Sequence, residues 1–106
     1  QNDITAINEL CRLYVGTRKY HNYTKKLRYS SDSAQRLISN FLIEELIVVD
    51  GIEFAKFRIE GQSFLFHQIR KMIGLVAAMY RDGAPMEVIP AVHKGNYGNW
   101  LIPLAP

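Results

Sequence analysis

The sequence predicts an α+β fold, an antiparallel sheet with helices packed on one face, and three observations predict it. An apolar stripe at helical spacing runs from Ile4 to Val15, and two strand-like runs between Arg36 and Glu60 flank the pair Asp50-Gly51. A second apolar stripe at helical spacing then runs from Leu65 to Met79.

In chain order, Asp3 can cap a first helix whose stripe is Ile4, Ile7, Leu10, Cys11, Tyr14 and Val15, and Gly16 is placed to end it. Cys11 lies on that stripe and reads as a small core residue. Tyr20 to Thr24 is short and rich in aromatic and β-branched types, so a brief extended segment is expected there, followed by a surface loop from Lys25 to Asp32. Ile38, Phe41, Ile43, Ile47 and Val49 favour a strand up to Asp50. An Asp-Gly pair between apolar runs signals a hairpin, because both central turn positions need positive φ. In the next strand Ala55, Phe57 and Ile59 alternate with Lys56, Arg58 and Glu60, one face packed and one wet.

Gly61 breaks this strand, and Ser63 is the expected cap of the second helix, which carries Leu65, Ile69, Met72, Ile73, Val76 and Met79. No charged residue stands between Lys71 and Arg81, so most of that helix's circumference is expected to be buried. Asp82-Gly83 and Pro85 end it, a short helix from Met86 to about Val92 follows, and Gly95 to Pro106 reads as a loop entering an extended segment. No internal repeat or domain boundary interrupts residues 1–106, which read as a single α+β unit.

Composition bounds the function classes. A hydrophobic fraction of 48% over 106 residues suits a packed domain, and a single cysteine excludes an internal disulfide framework. No apolar run approaches the roughly 18 residues that a membrane-spanning helix needs, so no membrane partner is expected. The polar, acidic start Gln1-Asn2-Asp3 is unlike a signal peptide, and its lack of methionine suggests a processed chain, a fragment or a leader ahead of these residues. The net charge of +3 is unevenly placed. Between Thr17 and Arg36, Arg18, Lys19, Lys25, Lys26, Arg28 and Arg36 face only Asp32, and Tyr20, Tyr23 and Tyr29 are interleaved with them. Basic residues with interleaved aromatics suit an RNA-binding edge; a solvated loop has the same composition.

The block Gly61-Gln62-Ser63-Phe64-Leu65-Phe66-His67-Gln68-Ile69-Arg70-Lys71-Met72-Ile73-Gly74 is the most informative. His67, Arg70 and Gly74 are spaced by three and four and would share a narrow face of an apolar helix. A largely buried Arg70 would need a carboxylate or phosphate, which Glu44, Glu45, Glu53 or Glu60 could supply locally. Gly74 is about 1 kcal/mol worse than alanine inside a helix, and close approach by another backbone would explain it.

This block closely resembles the TruA family of tRNA pseudouridine synthases, above all its eukaryotic branch. Val15-Gly16-Thr17 with Tyr20-His21-Asn22-Tyr23-Thr24, then Ser33-Ala34-Gln35-Arg36, and finally Ile102-Pro103-Leu104-Ala105-Pro106 resemble further family segments in the same order. Arg18 and Lys19 depart from the family's usual His and Asn or Asp, and Tyr20 and Tyr23 replace its phenylalanines. If those tyrosines are core, their hydroxyls need partners. The family's Gly-Arg-Thr-Asp motif, which holds the catalytic aspartate, does not occur in these residues. The chain also stops at Pro106, where the family continues into a final strand, so the expectation is a fragment: the C-terminal half of a pseudouridine synthase catalytic domain.

The resemblance implies an isomerase that flips a uridine out of tRNA, breaks its N1–C1′ bond, turns the base and rejoins it through C5, without cofactor or metal. An aspartate begins the reaction, by attack at C1′ or by taking the 2′ proton. Arg70 matches the arginine that pairs with that aspartate, here contributed by a missing N-terminal half of the domain. RNA contacts are expected from Arg18, Lys19, Tyr20, His21, Asn22, Lys25, Lys26, Arg28 and His67. The implied partners are tRNA and the missing half, with a homodimer one assembly the resemblance allows. An intracellular setting, nuclear or mitochondrial, follows from the eukaryotic-branch resemblance only. Two other classes stay open, a non-catalytic RNA-binding module of this fold and a protein-interaction domain with a solvent-facing basic loop.

Overall fold

A computed structural model of the chain describes residues 2–94, and the tail from Gly95 to Pro106, with its expected extended segment and closing motif, lies outside the described residues. Helix α1 (Asn2–Arg12) leads into strand β1 (Gly16–Lys19), a 3-10 turn at His21–Tyr23 and another at Asp32–Ala34. Strands β2 (Gln35–Val49) and β3 (Ile52–Gly61), then helices α2 (Gln68–Asp82) and α3 (Val88–Val92), complete the order. The sheet is antiparallel, β1-β2-β3, with Gly16 opposite Ile38 and Val49 opposite Ile52. This is the α+β architecture the patterning predicts.

The hairpin closes as the Asp-Gly pair requires, since Asp50 has φ 52° and Gly51 φ 77°. Asn8 joins α1 to the sheet by reading both backbone groups of one residue. Its amide oxygen accepts from the Ile43 N–H at 2.8 Å and its Nδ2 donates to the Ile43 carbonyl at 3.4 Å, beside a register shift between Ile43 and Glu45. The core collects Leu10, Cys11 and Tyr14 with Tyr20, Tyr23, Ile38, Phe41, Met72, Val76, Met79, Ile89 and Val92. Burial pushes the Cys11 thiol up to about 12, as befits a core residue.

Five local expectations are corrected. Asp3 lies within the first turn of α1, near the positive end of its dipole, and its carboxylate accepts from the Tyr80 hydroxyl. Gly16 opens β1 instead of ending α1. The extended segment is Gly16–Lys19, while His21–Tyr23 is a 3-10 turn, because its three side chains fold inward. Ser63 caps nothing: its hydroxyl accepts from Arg36 Nη1 at 2.6 Å, and α2 begins further on at Gln68. The packed faces are also narrower than expected. Ala55 is exposed on β3, and Ala77 and Tyr80 are exposed on α2.

Candidate functional site

The segment Phe64 to Arg70 lines a cavity of about 310 Å³ where β3 hands over to α2. Its shape is set by Gln68, whose side chain is wholly buried although polar. The Gln68 Oε1 accepts from the Leu65 N–H at 2.8 Å, and its Nε2 points to the Met72 sulfur at 3.8 Å. The chain therefore turns at Leu65–Gln68 before helix α2 can start. His67 stands just outside the helix with φ 69°, a left-handed conformation uncommon for residues other than glycine. So His67 does not share a helical face with Arg70 and Gly74, as the spacing predicts. It caps the turn, and Arg70 follows on the first turn of α2.

Arg70 is exposed, which corrects the expectation of a largely buried guanidinium. Of the carboxylates considered for it, Glu44 lies 2.9 Å from Arg58 and 3.6 Å from Lys56, and Glu60 lies 3.8 Å from Arg58. The His67 pKa is lowered, by desolvation first and then by the positive charges of Lys25, Arg70 and Lys71. Lys25 brings its ammonium 5.9 Å from the centre of the Phe66 ring, so the basic loop reaches the mouth of the same cavity. Residues far apart in sequence, Lys25 with His67, Arg70 and Lys71, thus form one electropositive rim.

The other sequence-predicted residues divide into three groups. Lys26 and Arg28 are exposed with Lys25 on the loop. Arg18 turns back, its Nη2 donating to the carbonyls of Leu13 at 3.3 Å and Val15 at 3.0 Å. Lys19 donates to the Ser31 carbonyl at 3.3 Å and lies 5.6 Å from the centre of the Tyr29 ring. Tyr20, His21 and Asn22 are buried. The Asn22 Nδ2 donates to the Val92 carbonyl at 2.8 Å, which ties the 3-10 turn to α3.

Around that turn Tyr14, Tyr20, Tyr23 and His93 make one aromatic cluster, with His93 stacked on Tyr23 at 5.1 Å and 13°. The Lys19 carbonyl can only accept, so His93 donates to it from Nδ1 at 2.8 Å and leaves Nε2 as the unprotonated nitrogen. Sequence reading missed His93, which no local motif marks, and Phe66, whose signal was an aromatic residue directly before His67-Gln68-Ile69-Arg70-Lys71. Among the described residues no group of three or more His, Cys, Asp and Glu side chains could hold a metal ion. Among the same residues no helix is long and apolar enough to cross a membrane.

Comparison with known proteins gives this geometry a family. Residues 10–98 match the tRNA pseudouridine synthase family. The chain is 45% identical over 86 residues to the Homo sapiens protein named pseudouridylate synthase 1 homolog, covering 81% of this chain and 20% of that protein. It is 36% identical over 104 residues to tRNA pseudouridine synthase 1 of Yarrowia lipolytica, covering 97% of this chain and 19% of that protein. Against tRNA pseudouridine synthase 1 of Saccharomyces cerevisiae the identity is 33% over 95 residues, 88% of this chain and 17% of that protein. The chain thus spans about a fifth of the length of the curated relatives it matches. On the extent of the match and the order of its motifs, the chain belongs to the tRNA pseudouridine synthase family.

Proposed function

We propose that these residues form the C-terminal portion of the catalytic domain of an RNA isomerase that converts uridine to pseudouridine in tRNA. The observation that carries this reading is the position of Arg70, exposed at a cavity rim between His67 and Lys71 rather than sunk in the core. A guanidinium there can meet a carboxylate brought by another part of the protein. It holds that carboxylate ionised by lowering its pKa, and its planar fork fixes the orientation of both oxygens. The catalytic aspartate is then supplied by a preceding portion that carries the Gly-Arg-Thr-Asp motif.

In this reading tRNA is held through the exposed loop cations Lys25, Lys26 and Arg28, with His67 at the approach to the reacting uridine. Arg18 and Lys19 contribute charge beside them. Buried Tyr20, His21 and Asn22 support that surface from beneath. The missing half of the domain is the obligatory partner, a homodimer is an assembly compatible with the reading, and no cofactor enters it.

Tritium release from C5-labelled uridine in tRNA tests the proposal. The full-length protein that carries these residues is expected to release tritium, and the 106-residue chain alone is not. In the full-length protein, Arg70→Lys and Arg70→Ala are expected to lower single-turnover release far more than tRNA affinity. Lost affinity with unchanged single-turnover chemistry would make Arg70 a binding residue instead.

A further inference from the structure

Phe66 is 68% exposed, although its neighbours Phe64 and Leu65 pack against the core and Gln68 is wholly buried. A single exposed apolar side chain is ordinary on a protein surface, but Phe66 is the most exposed large one among the described residues and lines a cavity, so a ligand can reach its ring. Its surroundings say which kind. The Phe66 ring lies 3.8 Å from the His67 ring, centre to centre, and the Lys25 ammonium stands 5.9 Å from its centre. Arg70 lines the same cavity. Lys26 and Arg28 are exposed on the loop that delivers Lys25. The charges that bear on His67 are all positive. An apolar protein partner would meet a rim of cations here, whereas a polyanion with planar apolar bases satisfies both features. Ring faces that stack bases beside cations that follow the backbone are the means by which proteins hold single-stranded nucleic acid.

We propose that Phe66 is a stacking platform for the base of an unpaired nucleotide flanking the reacting uridine, with Lys25 placed for the adjoining phosphate. The inference rests on the RNA-isomerase reading above and adds a residue to it. Phe66 binds and positions RNA, and it takes no part in the bond changes. A stacked neighbour would also hold the strand open while the target base is turned outward, a step that otherwise gives up stacking on both sides.

The test uses the full-length protein and two probes, a tRNA transcript and a fluorescein-labelled single-stranded oligouridylate. Phe66→Ala is expected to weaken oligouridylate binding by between about five- and about 150-fold, the range for removing one base–aromatic stack. Phe66→Tyr, which keeps the ring, should restore affinity, and Phe66→Leu, which keeps apolar bulk without a ring face, should not. The slope of binding against salt should stay unchanged in Phe66→Ala, because no cation is removed. Equal binding by wild type and Phe66→Ala overturns the proposal while leaving the RNA-isomerase reading intact. Recovery with Phe66→Leu, or a fall in the free protein's melting temperature with Phe66→Ala, also overturns it, by placing the ring in a protein contact. Should wild type neither bind RNA nor release tritium, the underlying reading falls and this inference falls with it.

Discussion

The hydroxyls of Tyr14 and Tyr23 lie 2.8 Å apart between two rings that are both fully buried. Their rings meet edge to face at 5.8 Å and 81°. Each hydroxyl is the other's partner in a site without water access, which meets for Tyr23 the requirement that a core tyrosine find a partner, whereas the buried Tyr20 hydroxyl has no hydrogen-bond partner among the described residues. Burial pushes the Tyr14 phenol well above its usual range, so the pair stays neutral at any ordinary pH.

Removing one hydroxyl therefore strands the other. Tyr14→Phe or Tyr23→Phe alone should destabilise the fold by about 1–3 kcal/mol, the desolvation cost of a buried group left unpaired. The double variant should recover much of that loss, since both polar groups leave together. Urea unfolding of the four chains in a double-mutant cycle measures the coupling. Additive losses would show that the two hydroxyls act independently.

How far the sequence reaches is visible at this same cluster. Strands β2 and β3 were legible because strand-forming runs and Asp50-Gly51 are local signals, and the hairpin turns at that pair. The amphipathic α1 and the presence of α2 were legible for the same reason. The conformation of Tyr20 to Tyr23 was not. Aromatic side chains mark burial, and these rings pack on Tyr14 and on His93, a residue from the far end of the chain. The start of α2 was misplaced because Leu65 points into the core at helical spacing while its backbone is held by Gln68 in a turn. Of the candidate site, Arg70, His67 and the basic loop were singled out by residue type and order. Their meeting at one cavity depends on Lys25 crossing to Phe66, a juxtaposition no local pattern contains.

His93 links stability to pH. Burial lowers its pKa from 6.5 to about 4, with Arg18 and His21 adding to the shift and the hydrogen bond to the Lys19 carbonyl opposing it. Between those values the unfolded chain binds more protons than the folded one. Its contribution is thus complete above the unfolded pKa of 6.5 and is lost as pH falls towards 4. At full extent the loss is roughly 3 kcal/mol, an upper bound for one group. His93→Asn retains an N–H donor near the Lys19 carbonyl and removes the titration. Urea midpoints at pH 7 and pH 5 should differ markedly in wild type and much less in the variant.

Gly16 and Arg18 together fix the exit of α1. Gly16 has φ 118°, and a Cβ there would stand 2.9 Å from Nη1 of Arg18, a side chain whose Nη2 is held near the helix end by the Leu13 and Val15 carbonyls. Gly16→Ala should destabilise the fold by about 1–3 kcal/mol through backbone strain. Arg18→Ala should lose less, about 0.5–1.5 kcal/mol, because its hydrogen bonds are partly solvent-exposed. Thermal unfolding of the two variants ranks them. A larger loss for Arg18→Ala would mean that the guanidinium, rather than the glycine conformation, holds the turn.

On the proposed RNA-isomerase reading, the same engagement of Arg18 predicts which basic residues would contact RNA. Arg18 and Lys19 are committed to carbonyls of their own chain, whereas Lys25, Lys26 and Arg28 are exposed on one loop. A cation already bonded within the protein must give up that bond to meet a phosphate, so the loop residues should carry more of the electrostatic attraction. Replacing all three with alanine in the full-length protein should weaken tRNA binding similarly across RNA sequences. The slope of log affinity against log salt should shrink by about 0.9 for each duplex-like phosphate that is no longer neutralised. Arg18→Ala should change that slope by less than the value for one phosphate while lowering stability, as expected from its carbonyl bonds. The reverse pattern, an unchanged slope in the triple variant and a reduced one in Arg18→Ala, would move the RNA path from the cavity rim to the edge of β1. Salt titrations of tRNA binding by the three proteins, read with their melting temperatures, separate the two paths.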